Sequence, residues 1–454
     1  MSRRAENSLR PSAPPATRPS APPKNSRTLD ARASSDGPPS SRAPFFPSFD
    51  LGIGSLFKSS SSGPVDSLLA AIVIALIGFG VIMVYSASAI EATVRHNDAQ
   101  FFLKRQAIYA VLGLLAMWFV SRIDYRKLKP FTYPILILVV AMLIACVAGL
   151  GHKAGNAYRW LSIGPVHVQP AETAKLGIVL WLAYSLSKKA EKIKSFSVGF
   201  LPHLLVVGLL MLLCLKQPDF GSAVVLLFLT FTLLFVAGAR VPYIAAFTML
   251  LAFAGAFLVR FSGYRYARYL AWIDMESNRN GLAYQPFQSV MSFGSGGTTG
   301  LGLGRGLQVL YLPEAHTDFI SAIVGEELGF IGVVLLGSAY LVIVSRGVKI
   351  ALEAYDDYGS FLAFGISTMF GMQALTNLAV AMAILPTKGL TLPFMSYGGS
   401  SLLVNAAAIG LLLNISRQRR DELTSKPAAT VPDGPAPSAS AVVATSAEQG
   451  AAGW

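Results

Sequence analysis

Long apolar blocks alternate with short polar connections along this chain. Ten blocks stand out, near 66–86, 104–121, 129–150, 171–187, 199–216, 220–238, 243–260, 318–345, 360–385 and 396–416. Each is long enough, or nearly so, to cross about 30 Å of hydrocarbon as a helix rising about 1.5 Å per residue. The blocks are continuous and show no period of two, which excludes a membrane β-barrel. The pattern predicts an all-α polytopic membrane protein of about ten transmembrane helices, with a large extracytoplasmic loop, 261–317, before span eight.

Composition agrees. Of 454 residues, 53% are hydrophobic and only 13% charged, too apolar for a soluble chain of this length. Basic residues set the orientation, because short cytoplasmic loops collect Lys and Arg. With a cytoplasmic N-terminus the inner loops hold Arg122, Arg126, Lys127 and Lys129, then Lys188, Lys189, Lys192 and Lys194. Arg240, Arg346, Lys349, Arg417, Arg419 and Arg420 follow on the same side. Ten spans return the C-terminus to the cytoplasm and put the 261–317 loop and Asp318 outside. The net charge of +13 is then mostly topology and anionic-lipid contact, and no nucleic-acid surface is expected.

Two segments fall outside the membrane core. Residues 1–64, rich in Pro, Ser and Arg, and 418–454, rich in Ala, Ser and Pro, are expected to be disordered cytoplasmic tails around a core at 65–417. Within the first tail, the aromatic patch at 45–57 reads equally as a membrane-surface element or a collapsed linker. No cleavable signal peptide is expected, since the first apolar block begins after about 65 residues and is long enough to remain as an anchor. The two cysteines, Cys146 and Cys214, both lie in apolar blocks and read as small core residues, not as a disulfide or metal site.

The polar chemistry gathers at the outer boundaries. Pro313-Glu314-Ala315-His316-Thr317-Asp318 leads directly into span eight, so Asp318 stands where lipid meets water. It is either a helix cap or a functional carboxylate. Lys104 and Arg105 open span two against the positive-inside bias, and suit either phosphate binding or snorkelling to headgroups. Glu172 and Lys175, at i and i+3 near the start of span four, are expected to form a buried ion pair, with substrate contact as the alternative. Arg159 stands in the loop before them, and the largest loop adds Arg265, Arg268, Gln285 and a glycine-rich run from Gly294 to Gly306. That run fits no nucleotide-binding pattern and reads as a flexible or tightly turning loop whose backbone can approach a ligand. Lys388 sits in Leu385-Pro386-Thr387-Lys388-Gly389-Leu390-Thr391-Leu392-Pro393, an irregular segment that at membrane depth needs protein or a watery cavity around it.

The segments 313–329 and 385–401, the run from Arg159-Trp160 to Lys175, and Gln217-Pro218-Asp219-Phe220-Gly221 together resemble the SEDS family of cell-wall polymerases, named for shape, elongation, division and sporulation. The resemblance covers about residues 65–416 and neither tail. Leu-Pro-Thr-Lys-Gly-Leu-Thr-Leu-Pro is similar to the division branch more than to the elongation branch. Ala171 stands where the family commonly has Ser.

The resemblance implies an inverting glycosyltransferase that polymerises lipid II, an undecaprenyl-pyrophosphate-linked disaccharide-pentapeptide, into β-1,4-linked glycan during septal division. Asp318 matches the family's essential aspartate and is expected to be the general base. The implied substrate-binding set is Lys104, Arg105, Arg159, Glu172, Lys175, His316, Thr317, Lys388, Tyr397 and Ser400. No cofactor is certain; a divalent cation, Mg or Mn, at the pyrophosphate remains open, although His316 and Asp318 at i and i+2 are poor co-ligands. Implied partners are the glycan strand, a class B penicillin-binding transpeptidase and other division proteins, at the bacterial cytoplasmic (inner) membrane and concentrated at the septum. Two other readings stand beside this one. The first is a lipid II flippase, favoured by Glu326 about 12 Å deeper than Asp318. The second is a catalytically silent scaffold.

Overall fold

The computed structural model describes residues 64–154, 157–164 and 166–418. The expectations for the tails and for the 45–57 patch therefore lie outside the described residues.

All ten apolar blocks are helical. They form α1 (Ser67–His96), α2 (Phe101–Arg122), α3 (Thr132–Val147), α4 (Pro170–Lys188), α5 (Leu201–Lys216), α6 (Phe220–Val236), α7 (Val241–Arg260), α10 (Ile320–Glu353), α11 (Asp357–Ala381) and α12 (Gly399–Arg417). Among the described residues, eight helical stretches are long and apolar enough to cross a membrane. The other two are α6, at 17 residues, and α4, which carries Glu172, Lys175 and Lys188. Two further helices, α8 (Gly263–Ile273) and α9 (Tyr284–Gly296), occupy the large loop. The protein is a multi-pass membrane protein. The core is the contact of α10 with α11, α11 with α4, and α12 with α2, while α7 buries none of its side chains.

The two ends of the bundle differ chemically. At one end, Asp66 caps α1 by accepting from the Leu69 amide (3.0 Å) and takes a two-pronged contact from Arg346 at 2.9 and 2.7 Å. There too, Asp356 caps α11 and accepts from Tyr125 and Lys129. These pairs absorb Lys129 and Arg346, basic residues counted in setting the orientation. At the other end the same helices lead into irregular backbone, and the polar cavity described below opens there.

Three features depart from the predicted pattern. A three-stranded antiparallel sheet, β1 (His152–Ala154), β2 (Ala157–Ile163) and β3 (Val166–Val168), occupies the connection between α3 and α4, with Leu161 opposite Val168 and Ser162 opposite His167. Two of its strands, β1 and β3, have three residues each, too few for periodicity to reveal. Next, α10 is broken at Gly329, whose φ of 66° and ψ of −163° end one helix and start another. The break exposes amides that are satisfied by the glycine-rich run: Phe330 and Ile331 donate to the carbonyls of Gly297 and Thr298, while Leu301 and Gly302 donate to those of Glu326 and Glu327. Gly300, at φ 79°, lets the two backbones meet. The run thus packs its backbone against the protein's own helix.

The third departure concerns Glu326. It is fully buried, and its Oε1 accepts from the amides of Leu307 (2.7 Å) and Gln308 (3.0 Å). The carboxylate that motivated the flippase reading anchors the returning loop.

Candidate active site

At the end of the bundle opposite Asp66, a cavity of about 240 Å³ is walled by polar groups. Its charged lining is Asp219, Asp318, Arg159, Arg268 and Lys388, with Gln285 and Thr387 beside them. Each comes from a different part of the chain. Arg159 projects from β2 and is fixed by donating to the carbonyls of Gln217 (Nε, 3.0 Å) and Pro218 (Nη2, 2.8 Å). Asp219 caps α6 through the Ser222 amide at 3.0 Å. Arg268 rides on α8, which is held in place where Trp272 donates its indole N–H to the Ala383 carbonyl (2.8 Å). Gln285 lies on α9, tied to α11 by the Ser289 hydroxyl on the Ala381 carbonyl (2.6 Å).

Asp318 lies two residues ahead of α10, in a turn where Glu314 adopts a φ of 58°. No hydrogen bond is made by its side chain as an α10 cap, so the capping role does not hold. Burial, and then the nearby Glu314, push its carboxyl up from 3.8 to about 7, with Arg159 pulling the other way. Lys388 stands 4.2 Å from the Phe220 ring centroid. Burial, then Arg268 and Arg265, bring its ammonium down from 10.5 to about 8, opposed by Asp219. A carboxylate near its titration point and three cations in one small cavity can accept a proton and hold a polyanionic leaving group together.

Of the residues expected to bind substrate, Arg159 and Lys388 line this cavity with Asp318. The others have different partners. Lys104 is exposed and paired with Asp98 at 2.9 Å. Arg105 lies over the Phe101 ring at 4.3 Å and bonds to Tyr397. His316 packs on Phe102 and Tyr397, with Nδ1 3.4 Å from Glu91. The turn therefore has two faces: Asp318 looks into the cavity and His316 looks toward α1 and α2. Thr317 donates back to Glu314. Glu172 and Lys175 form the expected buried ion pair at 2.7 Å, and Lys175 also donates to Gln373, while Ser401 donates to Glu172. Ser400 accepts from the Gln169 amide at 3.2 Å. Neither these residues nor Ser400 are among those lining the cavity.

Sequence reasoning left Asp219 and Arg268 out of the site. Both carried a signal: Asp219 sits in Gln-Pro-Asp-Phe-Gly, and Arg265 and Arg268 share one face of a short amphipathic helix. Among the described residues no group of three His, Cys, Asp or Glu side chains could hold a metal. Asp219 and Asp318 could supply two ligands to a divalent cation, the rest coming from substrate oxygens and water.

Comparison with known proteins identifies the family. The sequence model of the FtsW/RodA/SpoVE cell cycle proteins matches residues 66–421. A probable peptidoglycan glycosyltransferase FtsW from Geobacter metallireducens is 45% identical over 357 residues, covering 78% of this chain and 95% of that one. Stage V sporulation protein E of Bacillus subtilis is 39% identical over 358 residues, 78% of this chain and 98% of its own. Among solved structures, the rod shape determining protein RodA of Thermus thermophilus superposes with a TM-score of 0.59 at 30% identity, covering 78% of this chain and 97% of that one. A chain from a peptidoglycan synthase complex that coordinates polymerization and crosslinking gives 0.65, also at 30% identity, covering 78% and 98%. With a match spanning the whole membrane core, the chain belongs to the FtsW/RodA/SpoVE family, the SEDS proteins.

Proposed function

We propose that this chain is a peptidoglycan glycosyltransferase that polymerises lipid II in this cavity, with Asp318 as general base. The observation that carries the reading is the juxtaposition of Asp318 with Arg159, Arg268 and Lys388 around one polar space. The acceptor sugar's 4-hydroxyl gives its proton to Asp318 as its oxygen bonds to the donor's anomeric carbon. The bond from that carbon to the pyrophosphate breaks on the opposite face, so an α-linked donor yields a β-1,4 linkage. The departing lipid pyrophosphate takes the bonding electrons, and the three cations stabilise its charge.

The lysine and arginine distribution supports placing this end of the bundle outside the cytoplasmic membrane and both termini inside. Septal action alongside a class B penicillin-binding transpeptidase and other division proteins is supported by the division-type Lys388 segment, and by the likeness to a chain of a peptidoglycan synthase complex that coordinates polymerization and crosslinking.

The test is transfer of radiolabelled lipid II into glycan by the purified full chain. Asp318→Asn is expected to lower the rate by about 100- to 10,000-fold while folded yield stays normal. Near-normal glycan synthesis by that variant would remove Asp318 from the chemistry.

A further inference from the structure

Asn377 is buried on α11, 59 residues from Asp318 and 13 from Leu390. Its Nδ2 donates both hydrogens, one to the Asp318 carbonyl at 2.9 Å and one to the Leu390 carbonyl at 2.7 Å. Its Oδ1 accepts from the Ser321 hydroxyl at 2.8 Å. One amide therefore grips the aspartate turn on both sides and also the backbone two residues beyond Lys388. Neither carbonyl belongs to a regular helix, so each segment depends on such a partner to keep its place.

We propose that Asn377 is a positioning residue, whose amide clamps the Asp318 turn to the Lys388 segment and so sets the spacing between the base and the leaving-group cation. The proposal rests on the cavity being the site of transfer. Asn377 itself is not among the residues that line the cavity. Its side chain meets two segments that bring their functional groups to the same space, and an amide is the smallest side chain that can donate twice and accept once. Asp is isosteric and retains the acceptor for Ser321, but as a carboxylate it loses both donors.

The test uses the full chain in lipid nanodiscs, with turnover expressed per folded molecule. Asn377→Asp is expected to reduce turnover by about 10- to 100-fold, as misplacement of reacting groups does. The half-saturating lipid II concentration should stay within about threefold, since contacts to bound donor remain. In a Lys388→Ala background the same substitution should cost at least about threefold less, because there is no longer a cation to align. Ser321→Ala, which removes only the hydroxyl that orients the amide, provides the variant least prone to misfold. It should show a smaller loss with the same dependence on Lys388. Equal fractional losses in both backgrounds, or normal turnover by folded Asn377→Asp and Ser321→Ala, would overturn the proposal. Wild-type polymerisation by Asp318→Asn would instead sink the assignment of the cavity, an outcome read separately from these ratios.

Discussion

Gly389 lies so close to Asp318 that a β-carbon built on it would stand 2.9 Å from Oδ2 of the carboxylate. The backbone next to Lys388 thus forms one wall against the aspartate, and only a residue without a side chain leaves the carboxylate its present position.

Gly389→Ala is therefore expected to displace the Asp318 carboxylate and leave the fold intact, because the group that must yield is the end of a side chain. Turnover should fall by about 10- to 100-fold, with a smaller change in half-saturation. Initial rates over a range of lipid II concentrations check this. A Gly389→Ala enzyme with wild-type turnover would mean that the carboxylate tolerates a shift.

The pH dependence follows from two perturbed groups. A base works deprotonated, so activity should rise as pH increases through the Asp318 value of about 7. A leaving-group cation works protonated, so activity should decline above the Lys388 value of about 8. The profile of kcat/KM is expected to be a narrow bell between them. In Lys388→Arg the alkaline limb should move to higher pH, since guanidinium stays charged, and the acid limb should remain. An alkaline limb unmoved in that variant would assign it to another group.

Cations inside and outside the cavity should separate by their effects. Lys388→Ala and Arg268→Ala remove charges from the wall that faces Asp318, and each should lower polymerisation by about tenfold or more. Arg105→Ala removes a contact to Phe101 and Tyr397 on the other face of the turn, and its effect should be several-fold smaller. Parallel kinetics of the three variants decide the matter. A loss in Arg105→Ala equal to that in Lys388→Ala would bring the His316 face into the substrate site.

Orientation is open to direct measurement. Cysteines introduced at Ser277, between α8 and α9, and at Ser187, at the opposite end of α4 from Glu172, should label from opposite sides with a membrane-impermeant thiol reagent. Ser277 should react from outside. Labelling of Ser187 from outside would turn the cavity toward the cytoplasm and exclude polymerisation on the outer leaflet.

The ten helices were legible in the sequence because lipid leaves little choice. A spanning segment must satisfy its own backbone and present apolar side chains, so its length and composition are written locally. Asp318, Arg159 and Lys388 were legible for a related reason, since each sits in a short motif at a membrane boundary, where charge is costly. The Glu172–Lys175 pair also followed from spacing alone. Tertiary structure decided what depends on distant backbone. The i, i+2 spacing separates Asp318 from His316, but the irregular turn at 313–319 has no periodicity, so nothing local says which neighbours each one meets. The break at Gly329 acquires its meaning only from the 297–302 backbone that satisfies it. Arg268 enters the cavity because Trp272 docks on a carbonyl 111 residues away, and Asn377 joins two segments that the sequence presents as unrelated. Hydrophobic period reports whether a residue meets lipid or protein. Which protein group it meets is set by hydrogen bonds between segments whose proximity exists only after the helices have packed.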